Sequence, residues 1–289
     1  MVNEPLLKPE RYVALDFFDL HVDLGISRVD YSDAFWFFNR HIRSHRDQGK
    51  LLVRCSKNFF RDLLAKSDRI KAMSLEEDGN MTHIAFSSWS GAPSFLPPFA
   101  SARFLRRYAV IHGSVVSSAS GFTVMILGSN YSGKTSICLE LMRRGWQPIS
   151  DSCVVLDFGD PMGVCLRRYE TPIGLRRDTL ARWRDRLAAV DTRTQISQAT
   201  GTVVLAHARD LFPELEAPDK VQIHVTVVLA DSTLAASGGR RALRVYPGSR
   251  KEEVLAYINA RPIYFMSPSS RTADAIVRLV DSLKVGRQT

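Results

Sequence analysis

The sequence has few cysteines and no long apolar run, and these absences exclude several classes of protein. Its four cysteines are scattered over 289 residues, without a Cys-x-x-Cys pair or a His/Cys/Asp/Glu set at zinc-binding spacing. No apolar stretch approaches the roughly 20 residues that a membrane-spanning helix needs. We therefore expect a cytoplasmic protein with reduced core thiols and no membrane contact.

The start of the chain also lacks the features of a leader peptide. The segment MVNEPLLKPERYV contains Glu4 and Glu10 and no apolar core, so a secretory signal is not expected. Internal repeats and low-complexity tracts are absent as well. The composition is that of a folded globular protein, with 45% hydrophobic residues.

Acidic residues are outnumbered by basic ones, 30 against 39, which gives a formal net charge of +9. An anionic partner such as a nucleotide, a phosphorylated substrate or a nucleic acid would fit this charge. A solvated basic surface is the favoured explanation, since no long uninterrupted basic run occurs. No nucleic-acid-binding motif supports that kind of partner.

The most informative segment is GSNYSGKTS, residues 128–136, which fits the phosphate-binding pattern G-x-x-x-x-G-K-[ST]. The apolar segment FTVMIL precedes it and predicts a buried strand. The segment KTSICLELMRRG follows it with helical spacing and ends at Gly145. Strand, glycine-rich loop and helix follow one another in the order that a phosphate site requires.

This motif predicts a site for ATP and Mg²⁺. Lys134 would contact the β- and γ-phosphates, and the Thr135 hydroxyl would ligate Mg²⁺. Gly128 and Gly133 permit backbone conformations that a Cβ would disfavour. The predicted cofactor-binding residues are Gly128, Ser129, Asn130, Tyr131, Ser132, Gly133, Lys134, Thr135 and Ser136.

The chain divides into two predicted domains near the segment SGAPSFLPPFAS, which has one glycine and three prolines. Residues 1–100 predict a smaller α+β domain with a role at the acceptor site or in a homo-oligomer. Residues 101–289 contain every phosphate-handling candidate, and strands alternate with helices there. This alternation favours an α/β domain with helices covering a sheet.

From His112 to about residue 285 the sequence resembles the HPr kinase/phosphorylase-like kinases, which are related to phosphoenolpyruvate carboxykinase. The segments that carry the resemblance are IHGSVV, GFTVMILGSNYSGKTS, LELMRRGWQPISDSCVVLD and TPIGLRRDTL. The resemblance implies a kinase domain of that type, with a mixed sheet and flanking helices. It also implies ATP- and Mg²⁺-dependent transfer of a phosphoryl group to a hydroxyl of a small molecule, amino acid, peptide or protein serine.

Two positions depart from the family pattern. Ser136 stands where the family often has an acidic residue after the loop, and Ser152 stands where its strand often begins Asp-Asp. Both changes remove carboxylates near the metal and the transferred phosphate. We therefore expect little phosphate-driven reversal of the reaction.

Three residues outside the loop are candidates for catalysis. Asp151 could ligate Mg²⁺ or take the proton of the acceptor hydroxyl, or it could cap a turn. His112 could contact a phosphate, orient Asp151, or simply pack at a strand start. Arg176 could stabilise charge on the γ-phosphate or lie on a helix surface. Weaker candidates are Arg240, Arg241, Arg250, Asp157 and Asp231.

Two other functions stay open at this point. A degenerate nucleotide-binding regulator would explain the missing acids at positions 136 and 152, and a nucleic-acid-associated ATPase would explain the charge. A GTPase is disfavoured, since the Asn/Thr-Lys-x-Asp motif for guanine is absent.

Overall fold

The computed structural model describes residues 10–18, 20–42, 51–54, 71–78, 81–89, 102–197, 201–229, 245, 250–267 and 271–285. Within these ranges the chain is mixed α/β, with several sheets and helices. No helix of this part is long and apolar enough to cross a membrane.

The strands are short and most belong to multi-stranded sheets. In chain order they are β1 (Arg11–Phe17), β2 (Leu20–Ile26), β3 (Leu51–Arg54), β4 (Lys71–Asp78), β5 (Met81–Trp89), β6 (Tyr108–Ile111), β7 (Ser114–Ser117), β8 (Thr123–Gly128), β9 (Gln147–Asp151), β10 (Val154–Asp157), β11 (Cys165–Arg167), β12 (Ile173–Leu175), β13 (Arg193–Ser197), β14 (Gly201–Ala206), β15 (Lys220–Val221), β16 (Val225–Leu229) and β17 (Ile263–Met266). The α-helices are α1 (Tyr31–Phe37), α2 (Ala102–Leu105), α3 (Lys134–Met142), α4 (Arg177–Leu187), α5 (Ala208–Leu211), α6 (Lys251–Asn259) and α7 (Ala273–Val285).

Contacts group the chain into two units. The first comprises Met1–Arg106 with Gly174–Ala206, and the second comprises Arg107–Ile173 with His207–Thr289. This grouping differs from a linear division at residue 100, because residues 174–206 pack with the N-terminal residues. Arg193 gives one physical reason: its guanidinium lies 4.9 Å from the Trp36 ring centre and 3.7 Å from Asp33.

The first unit contains a five-stranded sheet in the order β1-β2-β3-β5-β4. β1 and β2 form an antiparallel hairpin. Alternate residues of β1 are buried, namely Val13, Leu15 and Phe17, which is the period-two pattern of a strand with one core face. A second sheet, β12-β14-β13, belongs largely to the same unit, and α4 packs against β14.

The second unit is built around a five-stranded mixed sheet in the order β17-β16-β8-β7-β9. β17, β16 and β8 run parallel, whereas β7 pairs antiparallel with β8 and with β9. β8 and β16 are buried along their whole length, as expected of parallel strands covered on both faces. α3 packs against β7, β8 and β9, and α7 packs against α3.

A four-stranded antiparallel sheet, β15-β11-β10-β6, completes the second unit. One apolar core joins it to the mixed sheet and to α6, through residues such as Ile111, Met125, Leu127, Leu156 and Ile258. The buried positions of α7 are Ala273, Ile276 and Val280. Burial of this core fixes the ends of β8 and β9, where the candidate site lies.

Candidate functional site

The loop between β8 and α3 has a backbone that only certain residues tolerate. Gly128 ends β8 opposite Leu229 of β16. A Cβ on Gly128 would lie 2.6 Å from the Ser132 hydroxyl and 3.2 Å from the Leu229 carbonyl oxygen. Gly133 has φ +96° and sits at the N-cap of α3. The chain therefore turns back on itself tightly enough to form a concave loop at the N-terminus of a helix.

The loop also contains Tyr131 and Ser132. Tyr131 has φ +65° although it carries a side chain, and that side chain is 59% exposed. Ser132 is buried, and its hydroxyl has no hydrogen-bond partner among the described residues. A buried hydroxyl inside a concave loop is a group that a bound anion could satisfy, so the loop fits the phosphate group that its sequence predicts.

Lys134 is buried at the first position of α3 and points back into the loop. Its ammonium donates hydrogen bonds to the carbonyl oxygens of Gly128, at 3.0 Å, and Ser129, at 2.9 Å. These contacts hold a positive charge inside the concave face of the loop. A phosphate there would gain a charge-assisted hydrogen bond.

Asp151 lies beside Thr135, which follows Lys134 on α3. It is buried at the end of β9, where it pairs with Ser114 of β7. The Thr135 hydroxyl donates to the Asp151 carboxylate, with distances of 3.0 Å to Oδ2 and 3.3 Å to Oδ1. A hydroxyl and a carboxylate at this separation are the hard oxygen ligands that Mg²⁺ prefers. The structure thus brings together the two residues that the sequence predicts to ligate the metal.

Two other hydroxyls contact the same carboxylate. Ser114 Oγ donates to Asp151 Oδ1, and Ser152 Oγ lies 3.4 Å from Asp151 Oδ2. The sequence analysis did not identify Ser114, because a serine within a predicted strand carries no signal of its own. Cys138 on α3 is close to this group: burial, reinforced by the Asp151 carboxylate, raises the pKa of its thiol well above the usual value. This thiol therefore stays neutral and is not a nucleophile.

His112 contacts the backbone next to Asp151. Its Nδ1 lies 3.1 Å from the carbonyl oxygen of Ser152, so Nδ1 carries the proton and donates it. Ser152 has φ +67°, a conformation that ordinarily costs about 1–2 kcal/mol for a residue with a side chain. The hydrogen bond from His112 helps to hold this turn, and the geometry fits the predicted orienting role more directly than a phosphate contact.

The remaining candidates lie elsewhere or outside the described residues. Arg176 precedes α4 and belongs to the first unit. Arg250 pairs with Glu253 at 3.1 Å and lies over the Phe158 ring at 5.2 Å, which are contacts of a structural arginine. Arg240, Arg241 and Asp231 lie outside the described residues.

Asp157 ends β10 in the other sheet and is fully buried. Arg107 donates to its carboxylate at 2.8 and 3.0 Å, and Arg167 approaches it at 3.4 Å. Oxygens of Asp157 and Asp160 and the sulfur of Cys165 lie within 4.8 Å of one another. Lys220 pairs with Asp160, so positive side chains already balance both carboxylates. This cluster is an ion-pair network of the fold.

The thiol in this network is buried as well. Burial, with the nearby Asp160 and Asp157 carboxylates, raises the pKa of Cys165 to about 11. Cys138, Cys153 and Cys165 are all buried, as predicted for core thiols; Cys55 lies outside the described residues.

Asp157→Asn is expected to lower the free energy of unfolding by about 2–3 kcal/mol, because two arginines lose the charge that compensates them. Nucleotide affinity should stay unchanged, since Asp157 has no contact with the loop residues. Urea unfolding and calorimetric titration with ATP measure the two quantities. A loss of ATP affinity in the folded variant would contradict the structural role.

No family model matches this sequence, and no curated protein sequence matches it significantly. Among solved structures, the HPr(Ser) kinase/phosphatase from Coxiella burnetii aligns with 43% of this chain and 67% of its own, at 14% identity and a TM-score of 0.28. A superposition this loose transfers neither a site residue nor an activity. The roles proposed below therefore rest on the geometry around Gly128 and Asp151.

Proposed function

We propose that this chain binds Mg²⁺ and ATP and transfers the γ-phosphoryl group to a hydroxyl of a small molecule, amino acid, peptide or protein serine. The observation that carries the proposal is the contact between Thr135 and Asp151 at 3.0 Å, next to the loop of residues 128–135. A phosphate loop alone would support binding. A buried carboxylate beside the loop's metal-ligating hydroxyl adds a group that can act on the acceptor.

The loop supplies binding and charge stabilisation. Backbone N–H groups between Gly128 and Thr135 and the N-terminus of α3 favour anionic oxygens. Lys134 adds a buried positive charge at the same face. Phosphoryl transfer depends mainly on position and on stabilisation of developing charge, so these groups account for much of the expected rate enhancement.

Thr135 and Asp151 would hold Mg²⁺, which when bound neutralises negative charge on the phosphates. Asp151 would also accept the proton of the acceptor hydroxyl. An ionised carboxylate offers about four lone-pair sites, so the hydrogen bonds from Ser114 and Thr135 leave capacity for both tasks. His112 would act through the backbone of Ser152, which it holds beside Asp151.

The sequence segments that resemble HPr kinase/phosphorylase-like kinases support assignment of residues 101–289 to a kinase domain of that type. On this proposal the protein works in the cytoplasm, and residues 1–100 contribute to the acceptor site or to a homo-oligomer. We leave Arg176 as a candidate for the γ-phosphate on the basis of its sequence position alone.

A nucleotide-binding regulator without transferase activity is the second candidate, and Ser136 and Ser152 favour it. Both positions lack a carboxylate that would add to the metal site. The contact between Asp151 and Thr135 fits a metal site in either candidate, and Asp151 also offers a carboxylate that would accept the proton of an acceptor hydroxyl.

Calorimetry and radiolabelling together test the proposal. The full chain should bind ATP in the presence of Mg²⁺, and [γ-³²P]ATP should label a hydroxyl-bearing compound in pools of metabolites and peptides. Lys134→Ala serves as the matched control for both measurements. Binding without transfer to any pool would favour the regulator, and an absence of ATP or GTP binding by the folded chain would contradict both candidates.

A further inference from the structure

Ser114 is a buried polar residue in the interior of the second unit. It is fully buried at the start of β7, and the next two residues of that strand, Val115 and Val116, belong to the core. A buried hydroxyl costs free energy unless it forms a hydrogen bond. Its partner here is Asp151 Oδ1, so the serine is matched to one oxygen of the candidate catalytic carboxylate.

The strand that carries Ser114 separates the loop strand from the strand of Asp151. Ser114 pairs with Ile126 of β8 on one side and with Asp151 of β9 on the other. A donor on a central strand is held by hydrogen bonds to both neighbours, so it is more rigid than a donor on a loop. Ser114 therefore gives the Asp151 carboxylate a fixed point of attachment within the sheet.

The other donors do not determine how this carboxylate is rotated. Thr135 lies within reach of both oxygens, at 3.0 and 3.3 Å. Ser152 is at 3.4 Å from Oδ2, which is long for a hydrogen bond between oxygens. Ser114 contacts one oxygen only, so it sets the plane of the carboxylate and leaves the other oxygen toward Thr135.

We propose that Ser114 is a positioning residue that fixes the plane of the Asp151 carboxylate, so that the oxygen it does not bind is directed at Thr135. The inference rests on the proposed function, because it assigns Ser114 a role through Asp151 and Thr135. It goes beyond that function because it explains how the single carboxylate of Asp151 is held in place. The next residue, Ser152, supplies no second carboxylate. The hydroxyl acts on no substrate atom itself.

Ser114→Ala should weaken Mn²⁺ binding to the ATP-loaded protein about tenfold, the usual effect of losing a hydrogen bond to a charged group. Electron paramagnetic resonance of Mn²⁺ measures this affinity directly and does not depend on the acceptor. ATP affinity without metal should be unchanged, because the loop and Lys134 are intact. If the alanine variant folds poorly, Ser114→Cys replaces it, because cysteine preserves the side-chain volume more closely. This variant should show the same loss of Mn²⁺ affinity.

Ser117→Ala is the matched control. Ser117 is buried at the other end of β7, where its hydroxyl accepts a hydrogen bond from Thr123 at 3.2 Å. Its loss should lower stability without changing Mn²⁺ affinity. In an Asp151→Asn background, Ser114→Ala should have no further effect on Mn²⁺ affinity, because the two residues act through one carboxylate.

The outcomes separate this inference from the proposed function. If Ser114→Ala has the same effect on Mn²⁺ affinity as Ser117→Ala, or if its effect adds fully to that of Asp151→Asn, Ser114 is not a positioning residue. The kinase proposal would still stand. If the wild-type chain binds neither ATP nor Mn²⁺, the proposed function fails and this inference fails with it.

Discussion

Asp151→Asn is expected to lower turnover by about 10²–10⁴-fold, the usual range for a positioned proton acceptor. Asparagine keeps the shape of the side chain but loses its charge and its basic oxygen. Metal-free ATP affinity should be nearly unchanged, because Lys134 and the loop backbone do not depend on Asp151. Single-turnover assays with [γ-³²P]ATP and the identified acceptor measure the rate, and calorimetry measures the affinity.

Manganese separates the two roles of Asp151. If its main contribution is to the metal, excess Mn²⁺ should partly restore turnover in Asp151→Asn. If its main contribution is proton transfer, excess metal should have no such effect. Asp157→Asn is the matched control, since Asp157 is also a buried aspartate at a strand end. That variant should melt at a lower temperature and keep full turnover per folded molecule.

Full turnover in Asp151→Asn would contradict the mechanism, although it would leave nucleotide binding intact. A lower melting temperature with unchanged turnover per folded molecule would mean that Asp151 serves only the strand end. Both outcomes differ from disruption of the phosphate-binding loop, which would abolish ATP binding.

The site was partly predictable because its main binding element is contiguous. The sequence predicts a strand, a loop and a helix over residues 122–145, and β8, the glycine-rich turn and α3 follow in that order. Local rules suffice for Gly133, which has φ +96°, whereas Gly128 is confined by Ser132 of its own loop and by Leu229 of β16. The functional roles of the loop residues stay predictions until nucleotide binding is measured.

The segment ISDSCVVLDF predicts one strand, and this prediction is wrong. The segment forms β9 and β10, which belong to two different sheets. Ser152, with φ +67°, turns the chain between them. Its sequence gives no sign of this, because serine is neither a glycine nor an asparagine, the residues that usually occupy this conformation.

The order of strands that places Asp151 beside the loop is also not visible in the sequence. The order of loop, helix and strand predicts that β9 returns beside the loop, and Asp151 does lie beside Thr135. In the structure β9 pairs with β7, and β7 lies between β9 and β8. Ser114 on the intervening strand thereby becomes a neighbour of Asp151, and only the sheet order makes that contact visible.

In the first unit, the aromatic segment shows the limit of helical periodicity. Phe35, Phe38 and Ile42 were expected to share one helical stripe. α1 ends at Phe37, Phe35 is exposed, and Ile42 forms a β-bridge with Leu15. Four consecutive aromatic residues, 35–38, fit any helical face, so periodicity could not decide which of them are buried.

Lys134→Ala is expected to weaken ATP binding tenfold or more, which corresponds to loss of about 1.5–3 kcal/mol for one charge-assisted contact. The ammonium donates to the Gly128 and Ser129 carbonyl oxygens, so ATP must compete for a donor that is already engaged, and the net loss should stay within this range. Lys134→Met is the matched variant, since it keeps an unbranched aliphatic chain at this buried position and removes the charge. Calorimetric titration of both variants should give similar losses of ATP affinity, whereas their melting temperatures should differ because only alanine leaves space unfilled. Retention of ATP affinity by the methionine variant would show that Lys134 fills volume at the helix start and that its charge does not bind phosphate.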